Sequence, residues 1–279
     1  MRIHQTAVVD QRANLADDVE IGPYSVVGPA VTIGPGTVVD NHVTITGNTT
    51  IGSNCHIHSC SVIGGDPQDL KFRGEETEVI IGNNNNIREF VTVNAGTAGG
   101  GGKTVIGDDN LLMAYVHIAH DCILGNRLVL ANLATLGGHI KVEDGARISG
   151  LAAVHHFVAI GRLAFIGGCA KVVRDVPPFI TVDGNPARVR GLNLEGLKRS
   201  GMSREDIGAL KEAYRLVYRS DLNRSQALEE IRAQGLDDNA PTAEFMGALT
   251  DSERGRRGRG REGLRTDVKV RRKAEGDSK

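Results

Sequence analysis

An aliphatic residue recurs every six positions through two thirds of this chain, and that period constrains the fold more than any other feature of the sequence. A six-residue period fits neither an α-helix nor one continuous strand, and it is typical of a short strand and a corner repeated along a solenoid. The phase slips by one residue before Ile106 and then continues. The aliphatic positions are Ile3, Val9, Leu15, Ile21, Val27, Ile33, Val39, Ile45, Ile51, Ile57, Ile63, Ile81, Ile87, Val93, Ile106, Leu112, Ile118, Leu124, Leu130, Leu136, Val142, Ile148, Val154, Ile160, Ile166 and Val172.

Three such units make one triangular coil of about 18 residues, so the sequence predicts a parallel β-helix built of stacked coils. The residue two before each aliphatic position is usually small or slender, as at Ala134 and Ala146. Residues two apart on a strand point the same way, so each strand sends one large and one small side chain inward. A glycine such as Gly22 often follows the aliphatic residue, and we expect it to adopt corner geometries that a Cβ would hinder.

Two segments interrupt the ladder, residues 64–80 and residues 94–104, and we expect both to be loops projecting from the prism. Long loops on rigid scaffolds often hold binding residues. The β-helix is expected to span residues 1–186, with its repeat ending near Pro177 and Pro178 because proline cannot donate to a strand ladder.

Residues 187–252 follow helical spacing and predict a small C-terminal α-helical domain. Ser203 and Asp206 resemble a capping box at the start of one helix. The predicted helical segments are 193–199, 203–220, 225–234 and 242–249.

The final segment, residues 253–279, is rich in glycine and arginine and is predicted to be a basic, disordered tail. A tail of this charge could attract nucleic acid or anionic lipid, but we expect a solvated appendage and no nucleic-acid partner. The chain enters the repeat at its N-terminus without an apolar signal segment, and it has no apolar run long enough to span a membrane. A cytoplasmic protein is therefore expected.

Five of the nine histidines fall between residues 117 and 156. The coil length stacks His120, Gly138 and His156 in one column, with the remaining three histidines of this group, His117, His139 and His155, beside it. A neutral imidazole can take a proton from a hydroxyl group near neutral pH, and Asp121 is placed to orient the His120 ring. The N–H of Gly138 could stabilise an oxyanion.

Serine and cysteine form no obvious triad with these histidines, so direct transfer to a hydroxyl fits better than a covalent enzyme intermediate. Three alternatives remain. The histidines could simply line an exposed polar face. His117, His120 and His139 could bind zinc through three histidines, as the gamma-class carbonic anhydrases do, although the ligand spacing of that class is not matched. The chain could also be a scaffold without enzymatic activity.

The repeat resembles that of the hexapeptide-repeat proteins, whose fold is a left-handed parallel β-helix. Within that group, Asp109–Phe157, Pro67–Lys71 and Asn193–Arg199 resemble the UDP-N-acetylglucosamine O-acyltransferase family, the first enzymes of lipid A synthesis. The resemblance implies an all-β left-handed parallel β-helix with a small C-terminal α-helical domain. It also implies a homotrimer with active sites in the clefts between neighbouring prisms.

The family transfers an (R)-3-hydroxyacyl group from acyl carrier protein to the glucosamine 3-hydroxyl of UDP-GlcNAc. The acyl chain arrives on the phosphopantetheine of the carrier, so no further cofactor and no metal are expected. The resemblance implies that His120 is the general base, Asp121 its orienting partner and Gly138 the oxyanion donor. The implied substrate-binding residues are Asp69, His117 and His139 for the glucosamine, Gln68, Asn193, Glu195 and Arg199 for the nucleotide, and Lys71 and His155 for the acyl-donor path.

This chain departs from the family pattern at Ser200, at Asn94-Ala95 and at Pro186. Ser200 replaces a second arginine and so weakens the expected phosphate contact. Two related reactions also fit the residues: N-acylation of a 3-amino analogue of UDP-GlcNAc, and N-acylation of UDP-3-O-acylglucosamine.

Overall fold

The computed structural model describes residues 2–260 of the chain, and its first part is a triangular prism of three parallel sheets. Sheet 1 contains β1 (Arg2–Ile3), β4 (Glu20–Ile21), β7 (Val38–Val39), β10 (His56–Ile57), β13 (Asn86–Ile87), β16 (Leu111–Leu112), β19 (Val129–Leu130), β22 (Arg147–Ile148), β25 (Phe165–Ile166), β27 (Ile180–Asp183) and β28 (Arg188–Leu192). Sheet 2 contains β2 (Val8–Val9), β5 (Val26–Val27), β8 (Thr44–Ile45), β11 (Val62–Gly65), β14 (Thr92–Asn94), β17 (His117–Ile118), β20 (Thr135–Leu136), β23 (Ala153–Val154) and β26 (Lys171–Val172). Sheet 3 contains β3 (Asn14–Leu15), β6 (Val31–Ile33), β9 (Asn48–Ile51), β12 (Glu78–Ile81), β15 (Lys103–Ile106), β18 (Ile123–Leu124), β21 (Lys141–Val142) and β24 (Ala159–Ile160).

Each strand pairs in parallel with the strand one coil further along, as the 18-residue coil predicts. His117 is in register with Thr135, and Thr135 with Ala153. Where a loop lengthens the coil, the sequence separation between paired residues is larger than 18, as between Thr92 and His117. The prediction of a left-handed parallel β-helix is confirmed.

The aliphatic ladder fills the interior of the prism. Ile57, Ile63, Ile118 and Leu136 are wholly buried, and small residues such as Ala134 complete the packing. Burying one such side chain stabilises the fold by about 1.5–3 kcal/mol, so the repeated ladder supplies most of the driving force for stacking the coils.

Most of the glycines that follow the aliphatic residues lie close to the backbone of the next coil. We expected them to adopt corner geometries that a Cβ would hinder, and for most of them a left-handed corner φ is not observed. The left-handed φ values lie three residues after the aliphatic position, where Asp121 has φ 60° and His139 has φ 62°. Gly22 lacks a left-handed φ, and a Cβ on it would lie 2.7 Å from the carbonyl carbon of Asp40 in the next coil. Gly64, with φ 80°, does match the expectation.

Both predicted loops join sheet 2 to sheet 3 at the same corner of the prism. β11 continues to Gly65 and β12 begins at Glu78, while β14 ends at Asn94 and β15 begins at Lys103. The connecting segments are therefore residues 66–77 and 95–102, and the second contains a 3₁₀ helix, Ala98–Gly100. The N–H of Ala98 donates to the carboxylate of Glu75 (3.3 Å), which ties the two loops together.

Sheet 1 continues past the two prolines, where we expected the repeat to end. β27 pairs in parallel with β25, and β28 then turns back and pairs antiparallel with β27. Pro177 and Pro178 precede β27 and so remove no N–H from its ladder. The segment predicted to begin the helical domain therefore starts with a strand of the prism.

The helices are α1 (Leu194–Arg199), α2 (Arg204–Tyr218), α3 (Arg224–Ala233) and α4 (Ala240–Glu253), with a 3₁₀ helix at Leu236–Asp238. The predicted cap is present, because the Ser203 hydroxyl accepts the Asp206 N–H at 3.0 Å. α4 is longer than predicted because Pro241 is tolerated in its first turn. A bidentate ion pair between Arg162 and Glu244 (2.7 Å) joins the prism to α4.

The first residues of the predicted tail lie against the prism. Arg257 forms an ion pair with Glu143 (2.8 Å), and the N–H of Arg259 donates to Asp175 (3.0 Å). The remainder of the predicted tail, from residue 261 onward, lies outside the described residues. Within residues 2–260, no helix has the length and apolar character needed to cross a membrane.

Candidate active site

The turns that join sheet 2 to sheet 3 stack residues 119–122, 137–140 and 155–158 in three successive coils, and we call this edge of the prism the histidine corner. The N–H of His139 donates to the carbonyl of His120 (3.0 Å), and the N–H of Phe157 donates to that of Gly138 (3.0 Å). These bonds hold the column that the coil length predicts.

His120 and Asp121 form a directly hydrogen-bonded pair. The ring atom Nδ1 of His120 lies 2.7 Å from Oδ2 of Asp121. An ionised carboxylate only accepts hydrogen bonds, so Nδ1 carries a proton, and in the neutral ring Nε2 then has the lone pair. The His120 side chain is 13% exposed and that of Asp121 is fully buried. The arrangement suits a general base whose partner is shielded from water.

The loop over residues 95–102 holds the Asp121 carboxylate in place. Thr97 donates its N–H to Oδ1 (2.8 Å) and its hydroxyl to Oδ2 (2.6 Å). Burial acts to raise the pKa of Asp121, but the hydrogen bonds from His120 and Thr97 outweigh it and the pKa is lowered. Asp121 is therefore ionised at neutral pH. Thr97 lies outside the repeat, so the six-residue period did not indicate it.

Gly138 lies against the His120 ring. A Cβ on Gly138 would be 2.7 Å from Nε2 and 2.5 Å from Cε1 of His120, so only glycine fits there. Within residues 2–260, the N–H of Gly138 donates to no acceptor. A donor beside the base is placed to stabilise negative charge on a reacting carbonyl oxygen.

His139 is held edge-on to His120 by stacking. Its Nδ1 is 3.6 Å from Oδ2 of Asp121, and its ring centroid is 5.0 Å from that of His120. Phe157, one coil further, stacks on His139 with centroids 4.3 Å apart. Phe157 was also missed, although the 18-residue spacing from His139 was a usable signal.

His117 and Asp69 lie within electrostatic reach of His120. The hydroxyl of Thr92 is 2.7 Å from Nδ1 of His117. Burial, and then the charge of His120, lower the pKa of His117, which is therefore neutral at pH 7.

Asp69 is held by its own loop. Its pKa is lowered, because the Lys71 N–H and the charges of Lys71 and His120 outweigh partial burial, which acts to raise it. The Lys71 ammonium is 3.6 Å from Asp69. Gln68 is exposed on the same loop. His155 lies at the far end of the histidine corner, where Arg259 contacts it.

Three predicted nucleotide-binding residues lie at a different corner. The turns from sheet 3 to sheet 1 contain Leu163, whose carbonyl accepts the Asn193 side-chain N–H (2.9 Å); we call this edge the α1 corner. Asn193 Oδ1 also caps α1 by accepting the Gly196 N–H (3.0 Å). Glu195 and Arg199 form an ion pair (3.0 Å).

A cavity of about 240 Å³ at the α1 corner is lined by Arg127, Arg147, Phe165, Asn193, Glu195 and Arg199. Asn193 thus fixes α1 on the prism, and its contact with a nucleotide stays a prediction.

His120, Asp121 and His139 also place one ligand atom each within 4.8 Å of the others. His117 is outside this group, so the zinc set that the sequence suggested differs from the observed one. The Asp121 oxygens already accept hydrogen bonds from His120 and Thr97, which favours an orienting carboxylate over a metal ligand.

Comparison with known proteins agrees with this geometry. A family model described as "Udp N-acetylglucosamine O-acyltransferase; Domain 2" matches residues 175–257. A model of the bacterial transferase hexapeptide repeat matches residues 30–65 and 103–138.

Curated relatives carry the name acyl-[acyl-carrier-protein]–UDP-N-acetylglucosamine O-acyltransferase. The Stenotrophomonas maltophilia protein is 52% identical over 248 residues, covering 88% of this chain and 94% of the relative. The Synechocystis protein is 59% identical over 171 residues, and this match spans only 61% of this chain and 62% of that relative.

The solved UDP-N-acetylglucosamine O-acyltransferase of Moraxella catarrhalis superposes with a TM-score of 0.86 at 43% identity, covering 92% of this chain and 99% of that one. Sequence, repeat and structure agree over nearly the whole length. This chain belongs to the UDP-N-acetylglucosamine O-acyltransferase family.

Proposed function

We propose that the protein transfers an (R)-3-hydroxyacyl chain from acyl carrier protein to the 3-hydroxyl of UDP-GlcNAc, the first step of lipid A biosynthesis. The observation that carries the proposal is the buried His120–Asp121 pair with Gly138 against its ring. Curated relatives that match over nearly their full length are named acyl-[acyl-carrier-protein]–UDP-N-acetylglucosamine O-acyltransferases, which supports the proposed donor and acceptor.

In the proposed reaction, Nε2 of His120 takes the proton of the sugar 3-hydroxyl while its oxygen attacks the thioester carbonyl. The Asp121 carboxylate stabilises the imidazolium, and the Gly138 N–H donates to the oxyanion. Collapse of the resulting tetrahedral intermediate breaks the carbon–sulfur bond, and His120 returns the proton to the leaving phosphopantetheine thiolate. The residues present complete the reaction, and we propose that it uses no cofactor.

The acceptor sugar would lie beside His117, His139 and Asp69. Asp69 is ionised, and His117 is neutral at pH 7, so the two can exchange hydrogen bonds with sugar hydroxyls. Lys71 and His155 would lie along the acyl-donor path and Gln68 near the nucleotide.

The separation of the two corners supports an active site shared between chains. The histidine corner and the α1 corner lie at opposite edges of sheet 3, so Arg199 and His120 of one chain face different directions. We propose a homotrimer in which the histidine corner of one prism meets the α1 corner of the next. UDP-GlcNAc would bridge them, its diphosphate held by Arg199.

Acyl carrier protein is proposed to dock near the basic helices. Lys198, Arg204 and Lys211 are exposed on α1 and α2. Charges of this kind steer an acidic partner and raise its association rate.

The curated names do not favour the zinc enzyme or either N-acylation. The expected cytoplasmic location stays a prediction.

The test is acyl transfer from 3-hydroxyacyl carrier proteins of several chain lengths to UDP-GlcNAc and to its 3-amino analogue. His120→Ala should lower kcat by about 10²-fold or more, as expected for loss of a general base. His4→Ala, which removes an exposed histidine from the first coil, is the control and should keep wild-type turnover. If the wild type acylates neither acceptor with any donor, the proposal is wrong; turnover of the 3-amino analogue alone would point to N-acylation.

A further inference from the structure

A second group of metal-ligating side chains lies outside the histidine corner, beside the outer face of sheet 1. Asp40 follows β7, while His56 and His58 flank Ile57 at the end of β10. Ile57 points into the core and is wholly buried, so the two imidazoles on either side of it point outward. Val38 is in register with His56, which places Asp40 one coil away and level with His58.

The three side chains converge on one point. His56 Nε2 is 3.0 Å from Asp40 Oδ1, and His58 Nδ1 is 3.3 Å from Asp40 Oδ2. One ligand atom from each residue lies within 4.8 Å of the others. Ligand atoms around a tetrahedral zinc with bonds of about 2.0–2.1 Å are separated by roughly 3.3 Å, so this spacing needs little adjustment.

The hydrogen bonds orient His58 as a metal ligand. Its Nε2 is 3.0 Å from Asn86 Oδ1, an acceptor, so Nε2 carries the proton in the neutral ring. The lone pair of Nδ1 then points toward the Asp40 carboxylate, whose Oδ2 is 3.3 Å away, so one cation can be shared between the two groups. Outer partners of this kind commonly fix the tautomer of a ligating histidine.

The rings of His56 and His58 are stacked, with centroids 3.8 Å apart and planes at 24°. Two imidazolium ions in this arrangement would repel each other. A neutral pair sharing one divalent ion removes that repulsion and balances the Asp40 charge.

We propose that Asp40, His56 and His58 bind one divalent first-row transition cation, of which zinc suits two imidazoles and a carboxylate. The remaining position would be open to water. Glu89 Oε1 lies 3.9 Å from His58 Nδ1 at its edge. Because the ligands come from consecutive coils, the ion would cross-link the N-terminal half of the prism.

The test is a zinc titration of untagged, metal-free full-length protein in competition with a chromogenic chelator. The wild type should bind one equivalent more than His58→Gln, and Asp40→Asn should weaken that site by at least about 10-fold. Zinc should also raise the Tm of the wild type more than that of His58→Gln.

Two control variants locate the ion. His120→Ala removes a ligand atom from the other candidate group and should retain the proposed site, as should His4→Ala. Equal zinc binding by the wild type and His58→Gln, or loss of the ion in His120→Ala alone, would overturn the proposal. The acyl-transfer activity of His58→Gln should equal that of the wild type, so the outcome is independent of the proposed function.

Discussion

At the residue scale, the candidate site depends on a carboxylate at a left-handed corner position. Asp121 has φ 60°, a conformation that aspartate tolerates better than most residues. Its carboxylate lies 2.7 Å from His120 Nδ1 and accepts hydrogen bonds from Thr97. Asp121 thus both forms the corner of the coil and orients the His120 ring.

Asp121→Asn should lower kcat by about 10²-fold or more, because an amide cannot accept every hydrogen bond that the carboxylate does or balance an imidazolium. Asp109→Asn is a matched control, since Asp109 also occupies a left-handed corner (φ 59°) but is exposed and away from the histidines. Steady-state acyl-transfer kinetics should show the loss of kcat in Asp121→Asn and wild-type kcat in Asp109→Asn. Equal kcat values for the two would show that Asp121 has no catalytic role.

His117 should make stability depend on pH. The unfolded chain protonates it near its ordinary pKa of 6.5, whereas the folded chain does so only at lower pH. Below pH 6.5 the unfolded state therefore binds more protons, and stability is lost as pH falls. Urea unfolding at about pH 7.5 and about pH 5.5 should show a larger loss for the wild type than for His117→Gln. Equal losses would contradict the account.

At the element scale, the coils are constrained by how closely their backbones approach. A glycine after the aliphatic residue leaves room for the neighbouring coil, and the left-handed turn comes two residues later. The corners therefore tolerate histidine, aspartate and aromatic side chains, while the close-contact positions do not tolerate a Cβ.

Gly22→Ala should destabilise the fold by about 1–3 kcal/mol, because the new Cβ would press on the backbone of the next coil. Gly208→Ala in α2 is the matched change: its Cβ would meet nothing within 4 Å. That variant should be more stable than the wild type by about 0.5–1 kcal/mol. Chemical denaturation measures both, and a neutral Gly22→Ala would refute the close-approach explanation.

At the scale of the whole molecule, the two corners give the chain two halves of one proposed site. In that proposal the histidine corner supplies the base and the sugar contacts, and the α1 corner supplies Arg199. A single prism holds these groups at different edges of sheet 3. Assembly is therefore proposed to be a condition for catalysis.

Mixed assemblies should reveal a shared site. His120→Ala and Arg199→Ala chains are each expected to have low activity alone. Co-expressed, they should recover part of it, because some interfaces pair an intact His120 with an intact Arg199 of the neighbour. Activity of the purified mixed assembly measures this. A mixture no more active than its components would place both residues in one chain's site.

Much of the prism and of its histidine column follows from counting along the sequence. With a fixed coil of 18 residues, residues 18 apart occupy equivalent positions in successive coils. The stacking of His120, Gly138 and His156 could therefore be derived before any contact was known. The cap at Ser203 is local and was equally predictable. A hydrogen bond between residues close in sequence can be predicted from those residues alone.

Only the tertiary structure decided what the loops and the chain end do. Thr97 reaches Asp121 because an aperiodic loop folds back over the corner, and no repeat encodes that contact. β27 and β28 extend sheet 1 beyond the prolines because the open end of the prism presents unpaired strand groups. The aliphatic period determined the parallel coils of this protein, whereas the packing of non-periodic segments decided how the His120–Asp121 pair is held and which groups each corner presents.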